Sequence, residues 1–271
     1  MKPNHKIIQN ITFIPPKRSF ASYSFNFRKR CNLLPQKKHL IMKKVVIVIL
    51  VLLVVLVGGF LLYMGAPYDQ EKSVLHEVEV PENINRTIEN HRAENRTTFL
   101  EKSDETGGEY SLLEIELGPG GENILHYHDD FTEEFTVRSG TLGLHLNGTD
   151  SLLEPGESAL VERGDDHYFF NPSEEDTVRF EVKIEPGSPG FEKALYILYG
   201  IINDGLVDDD GIPENIYHTA LFIELSDTRS PERSALFNWF VSRMAGRAQR
   251  NGVEEELIER YYLHNTKDAS K

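Results

Sequence analysis

Cysteine is nearly absent: Cys31 is the one cysteine in 271 residues. No internal disulfide and no thiolate metal cluster can form. Acidic residues are missing from residues 1–44, which hold 11 of the 29 Lys+Arg and none of the 43 Asp+Glu. From Val45 onward 18 basic residues face 43 acidic ones, a balance of −25. A body that acidic repels phosphates, so nucleic acid is not an expected partner. No basic helix-turn-helix pattern and no internal repeat occur. The acidic run Val207–Gly211 lacks calcium-loop spacing, because Leu206 stands where the first ligand is needed. It reads as a solvated loop.

Charge is also missing from residues 45–64, VVIVILVLLVVLVGGFLLYM. About 20 such residues suffice to cross ~30 Å of hydrocarbon as a helix. Lys43 and Lys44 precede the run, and Asp69 and Glu71 follow it. The excess of positive charge on the N-terminal side predicts a single-pass anchor with a cytoplasmic N-terminus and an extracytoplasmic body. A cleaved signal peptide is the rival, disfavoured by the length of the run and by Met64 at the position where a small residue is wanted. Residues 1–41 are basic and without periodicity. They read as a disordered or spurious extension, with the anchor over 42–65.

His76–Val80 has the pattern of a strand start. From Arg96 to about Pro186, short apolar-alternating runs are separated by Gly107-Gly108, Pro119-Gly120-Gly121, Ser139-Gly140, Asn147-Gly148 and Pro155-Gly156. Six or more strands at this spacing predict an all-β sandwich or barrel. The period then changes. Phe191, Ala194, Leu195, Leu198, Tyr199 and Ile202 predict one face of a helix ended by Asp204-Gly205. Further helices are expected over 213–225, from Ser230-Pro231 to about Arg250, and over 253–263. The division is 75–187 for the β domain and 190–265 for a helical region.

Leu125–Gly140 carries the chemistry. In a strand His126 and His128 project to one side and Leu125 and Tyr127 to the other. The next run begins near Thr132, where Glu133 shares a face with Phe135 and Val137, the inner side. Glu134 shares the solvent side with Thr136 and Arg138. Two imidazoles and a carboxylate buried without partners cost several kcal/mol, which a divalent cation would relieve. His167, on the face of Phe169 and Asn171 after the turn Gly164-Asp165-Asp166, is a fourth candidate ligand. His145 is expected at the surface, and His218 is read as structural or at an interface.

These residues resemble the cupin superfamily. Gly120, His126, His128, Glu133 and Gly140 fall in register with the first cupin motif, and Gly156, Gly164, His167 and Asn171 with the second. Glu162 stands where that motif has proline, a departure expected to loosen the turn. The resemblance covers about residues 75–187. It implies a mainly β, double-stranded β-helix of jelly-roll type, with one metal ion held by His126, His128, Glu133 and His167. Imidazole and carboxylate suit Fe, Mn, Ni or Zn. Family members often pair, so a homodimer is the implied assembly.

Such an ion keeps one or two positions open to water, dioxygen or a bidentate small molecule. Phe135, Val137 and Phe169 would give the ligand an apolar wall. The expected function is a membrane-anchored metal cupin that binds a small molecule, with a dioxygenase as its catalytic form. A non-catalytic ligand-binding or sensing module is the alternative, and the sequence leaves open which holds. No general base is identifiable.

Overall fold

The computed structural model describes residues 24–74, 81, 83–92 and 95–266, with side chains from residue 37 onward. The strand expected at His76–Val80 lies outside them. The chain divides into two compact units, Met1–Tyr63 and Met64–Lys271.

In the first unit, helix α1 spans Ser24–Met64 and so begins well before Met42. Its portion Lys37–Met64 is long and apolar enough to cross a membrane. Leu50, Val54 and Leu56 and their neighbours are exposed to the surroundings rather than packed.

The second unit is built on nine strands: β1 Thr87–Asn90, β2 Asn95–Glu101, β3 Ser111–Leu117, β4 Thr132–Ser139, β5 Leu142–Leu146, β6 Thr149–Leu153, β7 Ser158–Val161, β8 His167–Phe170 and β9 Val178–Glu185. They form a six-stranded sheet, β1-β2-β3-β9-β4-β7, and a three-stranded sheet, β6-β5-β8. This is the expected double-stranded β-helix. Its core is the inward set of both sheets: Leu113, Phe135, Val137, Leu142, Leu144, Phe180, Val182 and Ile184 are each no more than 3% exposed. The alternation read in β4 holds. Glu133, Phe135 and Val137 are buried, while Glu134 and Arg138 are exposed. Arg138 donates from Nε to Glu181 of the neighbouring β9 at 2.8 Å on the solvent side.

Two turns show why the punctuation was readable. The β5–β6 hairpin turns at Asn147 (φ 48) and Gly148 (φ 84), the pair of positive angles a two-residue turn of this hand requires. Gly140 (φ 75) sits so close to β9 that a Cβ would lie 3.1 Å from the Val178 Cα.

Four helical pieces follow: α2 Pro189–Asn203, α3 Ile216–Ser226, α4 Ala235–Arg250 and α5 Val253–Leu257, which continues as a π-helix over Ile258–Leu263. Ser188 caps α2, accepting from Phe191 N at 3.2 Å, with Pro189 in the first turn. The face of α2 is corrected. The buried apolar residues are Ala194, Tyr196, Ile197 and Ile201, with Glu192 and Lys193 buried beside them, while Leu198 and Ile202 are only partly covered. The helix is packed between β1 on one flank and α3 and the π-helix on the other, so a single amphipathic stripe does not describe it. On the barrel side Phe99 of β2 stacks on Tyr196 at 4.9 Å. The Lys102 Nζ lies 5.2, 4.8 and 5.1 Å from the Phe99, Tyr196 and Tyr262 ring centres, and these rings take the place of hydrogen-bond partners.

The starts of α3 and α4 are corrected too. Asn215, not Pro213, opens α3 by accepting from Tyr217 N. Ser234, not Ser230, opens α4 by accepting from Phe237 N. Arg229 pairs its backbone reciprocally with Tyr127, at 2.9 Å in both directions, and the chain then makes a separate turn, closed by Arg233 N donating to Ser230 O at 3.2 Å, before Ser234 opens the helix.

Candidate metal centre

The segment 122–128, read as a strand, is extended but makes only isolated bridges. His126 exchanges both backbone hydrogen bonds with His167 of β8, at 3.0 and 2.8 Å. The next residue, Tyr127, pairs on the opposite edge with Arg229. The segment is therefore stitched to the barrel on one side and to the helical region on the other. His126 and His128 still project together. The ring centres lie 4.8 Å apart for His126 and His128, 4.3 Å for His126 and His167, and 5.5 Å for His128 and His167.

Glu133 completes the set from the first turn of β4. One potential ligand atom from each of His126, His128, Glu133 and His167 lies within 4.8 Å of the others. A divalent ion with bonds of about 2.1 Å holds its ligand atoms roughly 3–4 Å apart, so a small contraction closes the set. Exposure is 7% for His126, 2% for His128, 5% for Glu133 and 0% for His167.

The hydrogen bonds fix which nitrogen of each ring faces inward. Nδ1 of His126 meets the Ile124 carbonyl at 2.7 Å, Nδ1 of His128 the Asp227 carbonyl at 3.0 Å, and Nδ1 of His167 the Asp165 carbonyl at 2.9 Å. A carbonyl oxygen only accepts, so each Nδ1 carries the proton and donates. Each Nε2 is left to face the cluster. His167 Nε2 lies 2.8 Å from Glu133 Oε2, and His128 Nε2 lies 3.7 Å from the same oxygen. His128 Nε2 is buried with no hydrogen-bond partner among the described residues. An orphaned lone pair of that kind is costly unless something electrophilic meets it.

Electrostatics agree. Burial, reinforced by the neighbouring imidazoles, lowers His126 to about 3. Burial also lowers His128, against the pull of Glu133. Burial pushes His167 down, but its hydrogen bond to Glu133 and that residue's charge outweigh it and hold the ring above its ordinary value. For Glu133 burial acts upward, and the three histidines overcome it, holding the carboxyl at about 2. The cluster therefore offers a carboxylate and two imidazoles whose charged forms burial disfavours, while Glu133 favours the charged form of His167, a proton that a bound cation would displace.

The surrounding shell contains what the sequence did not disclose. Asp227, the C-cap of α3 with φ 49, supplies the carbonyl that orients His128. Its carboxylate Oδ2 accepts from Asp129 N at 2.7 Å and Asp130 N at 2.8 Å, and Oδ1 lies 3.3 Å from Arg229 Nε. Phe131 stacks on His128 at 4.3 Å, and Phe191 of α2 meets it edge-on at 6.0 Å. Phe135 and Phe169, expected as the apolar wall, do pack with Phe180, at 6.2 and 5.2 Å. Asn171 knits loops: its Nδ2 reaches the carbonyls of Leu117, Gly118 and Asp176 at 2.8–3.0 Å. Glu162 does not loosen its turn. Its N–H donates to Asp165 Oδ2 at 3.2 Å, a bond proline could not make. His145 lies apart from the cluster, stacked on Tyr168 at 4.7 Å and paired with Asp150.

The family model described as Cupin domain matches residues 113–184. The chain carries a cupin domain. Both cupin motifs lie within or beside that span, and the barrel around them is the cupin fold. Solved structures to which part of this chain is similar include a predicted oxalate decarboxylase from Thermotoga maritima (22% identity over 40% of this chain and 99% of that one, TM-score 0.35). Another is the polyketide cyclase RemF from Streptomyces resistomycificus (25% identity, 40% and 79% of the chains, TM-score 0.33). A third is the Cupin_2 domain of an XRE family transcriptional regulator from Enterobacter cloacae (24% identity, 34% and 95%, TM-score 0.31). No curated protein matches the sequence. The cupin cluster can hold one metal ion, and its three nitrogens and one oxygen do not select among Fe, Mn, Ni and Zn.

Proposed function

We propose that the protein is a membrane-anchored metal cupin in which His126, His128, Glu133 and His167 ligate one divalent ion that receives a small molecule. The anchor is 42–65, the cupin domain 75–187 and the helical region 190–265. The N-terminus is cytoplasmic and the cupin domain extracytoplasmic, because Lys43 and Lys44 precede the apolar run while Asp69 and Glu71 follow it.

One observation carries the site: three Nδ1–H groups are tied to backbone carbonyls, so the three Nε2 atoms are left to the cluster with the buried Glu133, and that of His128 has no hydrogen-bond partner among the described residues. Carbonyl-fixed imidazoles are what a metal centre needs around its ligands. When bound, the ion supplies a Lewis acid with open positions for a bidentate or oxygen-bearing ligand. The chain's own part is to keep His126 and His128 from charging, orient all three imidazoles through their Nδ1–H bonds, supply the Glu133 carboxylate and exclude water with Phe131, Phe135 and Phe191. In its catalytic form this is a dioxygenase.

Elemental analysis of the full chain, purified in detergent with several metals offered, tests the reading. We expect close to one ion per chain, and a large loss in His128→Ala. A chain that emerges without metal and binds none refutes it. Oxygen uptake by the iron-loaded protein with diols and flavonoid-like compounds then separates enzyme from sensor: binding without turnover identifies the non-catalytic module.

A further inference from the structure

The peptide unit that joins Asp165 to Asp166 lies directly before the candidate ligand His167, and both of its polar groups are taken. Its carbonyl accepts from His167 Nδ1 at 2.9 Å, the bond that orients the ring. Its N–H donates to Asn147 Oδ1 at 3.1 Å. Asn147 holds the same unit a second time, because its Nδ2 donates to Asp165 Oδ1 at 2.8 Å. The Asn147 backbone N–H adds a third bond, to Asp166 O at 2.8 Å. Asn147 is exposed while His167 is buried. A surface amide therefore reaches a ligand in the core through one intervening peptide.

The tip of the β5–β6 hairpin supplies this geometry. Leu146 of β5 is paired with His167 of β8, so residue 147 falls level with residue 166. Asn147 sits at φ 48, a region that asparagine enters more readily than most residues. The turn it holds is the place where the chain departs from the second cupin motif, with Glu162 standing for proline. Proline fixes its own backbone angle covalently. Here hydrogen bonds close the turn instead. Asp165 N donates to Glu162 O at 3.1 Å, and Glu162 N donates to Asp165 Oδ2 at 3.2 Å. With Oδ1 accepting from Asn147, both oxygens of Asp165 are engaged.

We propose that Asn147 is a positioning residue of the metal centre: its side-chain amide holds the peptide between Asp165 and Asp166 in the plane from which the carbonyl aims His167. The proposal rests on the metal-cupin reading above and adds to it a residue from a hairpin tip that bears no ligand. A peptide plane released by Asn147 is free to tilt, and its carbonyl tilts with it. His167 Nε2 then loses its fixed place 2.8 Å from Glu133 Oε2. Supporting contacts of this kind change metal affinity by about 10–100-fold. Water competes for both bonds of an exposed amide, which places the expected loss at the lower end of that range.

The full chain, purified in detergent, is titrated with Co²⁺ as a spectroscopic probe, by chelator competition and by the visible absorption of the bound ion. Asn147→Gly tolerates the backbone angle and keeps the N–H to Asp166 O while removing the amide. We expect about tenfold weaker binding and a shifted ligand-field spectrum at saturating cobalt. Asn147→Asp sets a carboxylate against Asp165 Oδ1 and should bind more weakly still. The double variant Asn147→Asp/Asp165→Asn exchanges donor and acceptor across the same contact and leaves oxygens for Asp166 N and Glu162 N. Its affinity should return to within about threefold of the parent, and its spectrum with it. A role in stability alone would move the melting temperature and leave the spectrum of the loaded site unchanged. Circular dichroism checks folding, and if Asn147→Gly does not fold, Asn147→Asp and the double variant decide between them. Parent-like affinity and spectrum in Asn147→Gly overturn the proposal and leave the metal reading standing. So does a double variant no better than Asn147→Asp. A parent chain that binds no cobalt overturns both.

Discussion

Asp227→Ala isolates the dependence of the metal centre on chain that lies beyond the barrel. Asp227 Oδ2 alone accepts from Asp129 N and Asp130 N. Losing an acceptor for two N–H groups costs about 1 kcal/mol each. Alanine at φ 49 adds about 1 kcal/mol, because only glycine, asparagine and aspartate enter that region readily. The sum is about 3 kcal/mol of stability, and the residue 227 carbonyl that meets His128, though retained by alanine, is no longer tethered through the side chain to the 129–130 turn, a loss of ligand support for which about 10–100-fold in metal affinity is typical. Asp227→Asn separates the two effects. The amide oxygen can still accept both N–H groups and the backbone angle is tolerated, but the attraction to Arg229 Nε at 3.3 Å is gone. We expect Asn to cost about 1 kcal/mol and to leave affinity within about tenfold of the parent. Chemical denaturation and chelator competition measure the two quantities. If Asp227→Ala lost stability as calculated yet bound metal as tightly as the parent, the α3 C-cap would not orient His128 and the reasoning would fail.

Metal binding should release protons near pH 6.5. His167 is held above its ordinary value by Glu133, so the metal-free cluster keeps a proton there that the cation displaces, and calorimetry in buffers of different ionisation enthalpy should report release that fades as pH rises through the raised value. The linked stability has a definite sign: a folded-state histidine raised by its carboxylate stabilises the metal-free fold below the unfolded pKa and loses that contribution at higher pH. Gly140→Ala forces a side chain into φ 75 and to 3.1 Å from Val178 Cα. It should cost about 2 kcal/mol and lower Tm by roughly 4–8 °C, and an unchanged melting temperature would refute the packing argument.

The candidate ligands were legible because each obeyed a local rule. Period-two alternation put Glu133 with Phe135 and Val137, and put His126 beside His128, without any tertiary information. The turn glycines were legible for the same reason: Gly140 and Gly148 occupy angles that most side chains avoid. What stayed hidden depends on distant chain. Asp227 looks like an ordinary helix-ending acid until the fold brings it under the 129–130 turn. Ser230 and Ser234 are equally good caps in isolation, and nothing local in the sequence marks 230–233 as a separate turn ahead of the helix. The buried face of α2 was misplaced because β1, α3 and the π-helix all cover the helix, rather than one partner.

The cupin match ends at residue 184, yet the carbonyl that steers one imidazole comes from residue 227. A protein trimmed to its recognisable barrel would keep every candidate ligand and forfeit the strut that aims one of them. For this chain, the helices after the barrel belong to the vessel as much as its staves do.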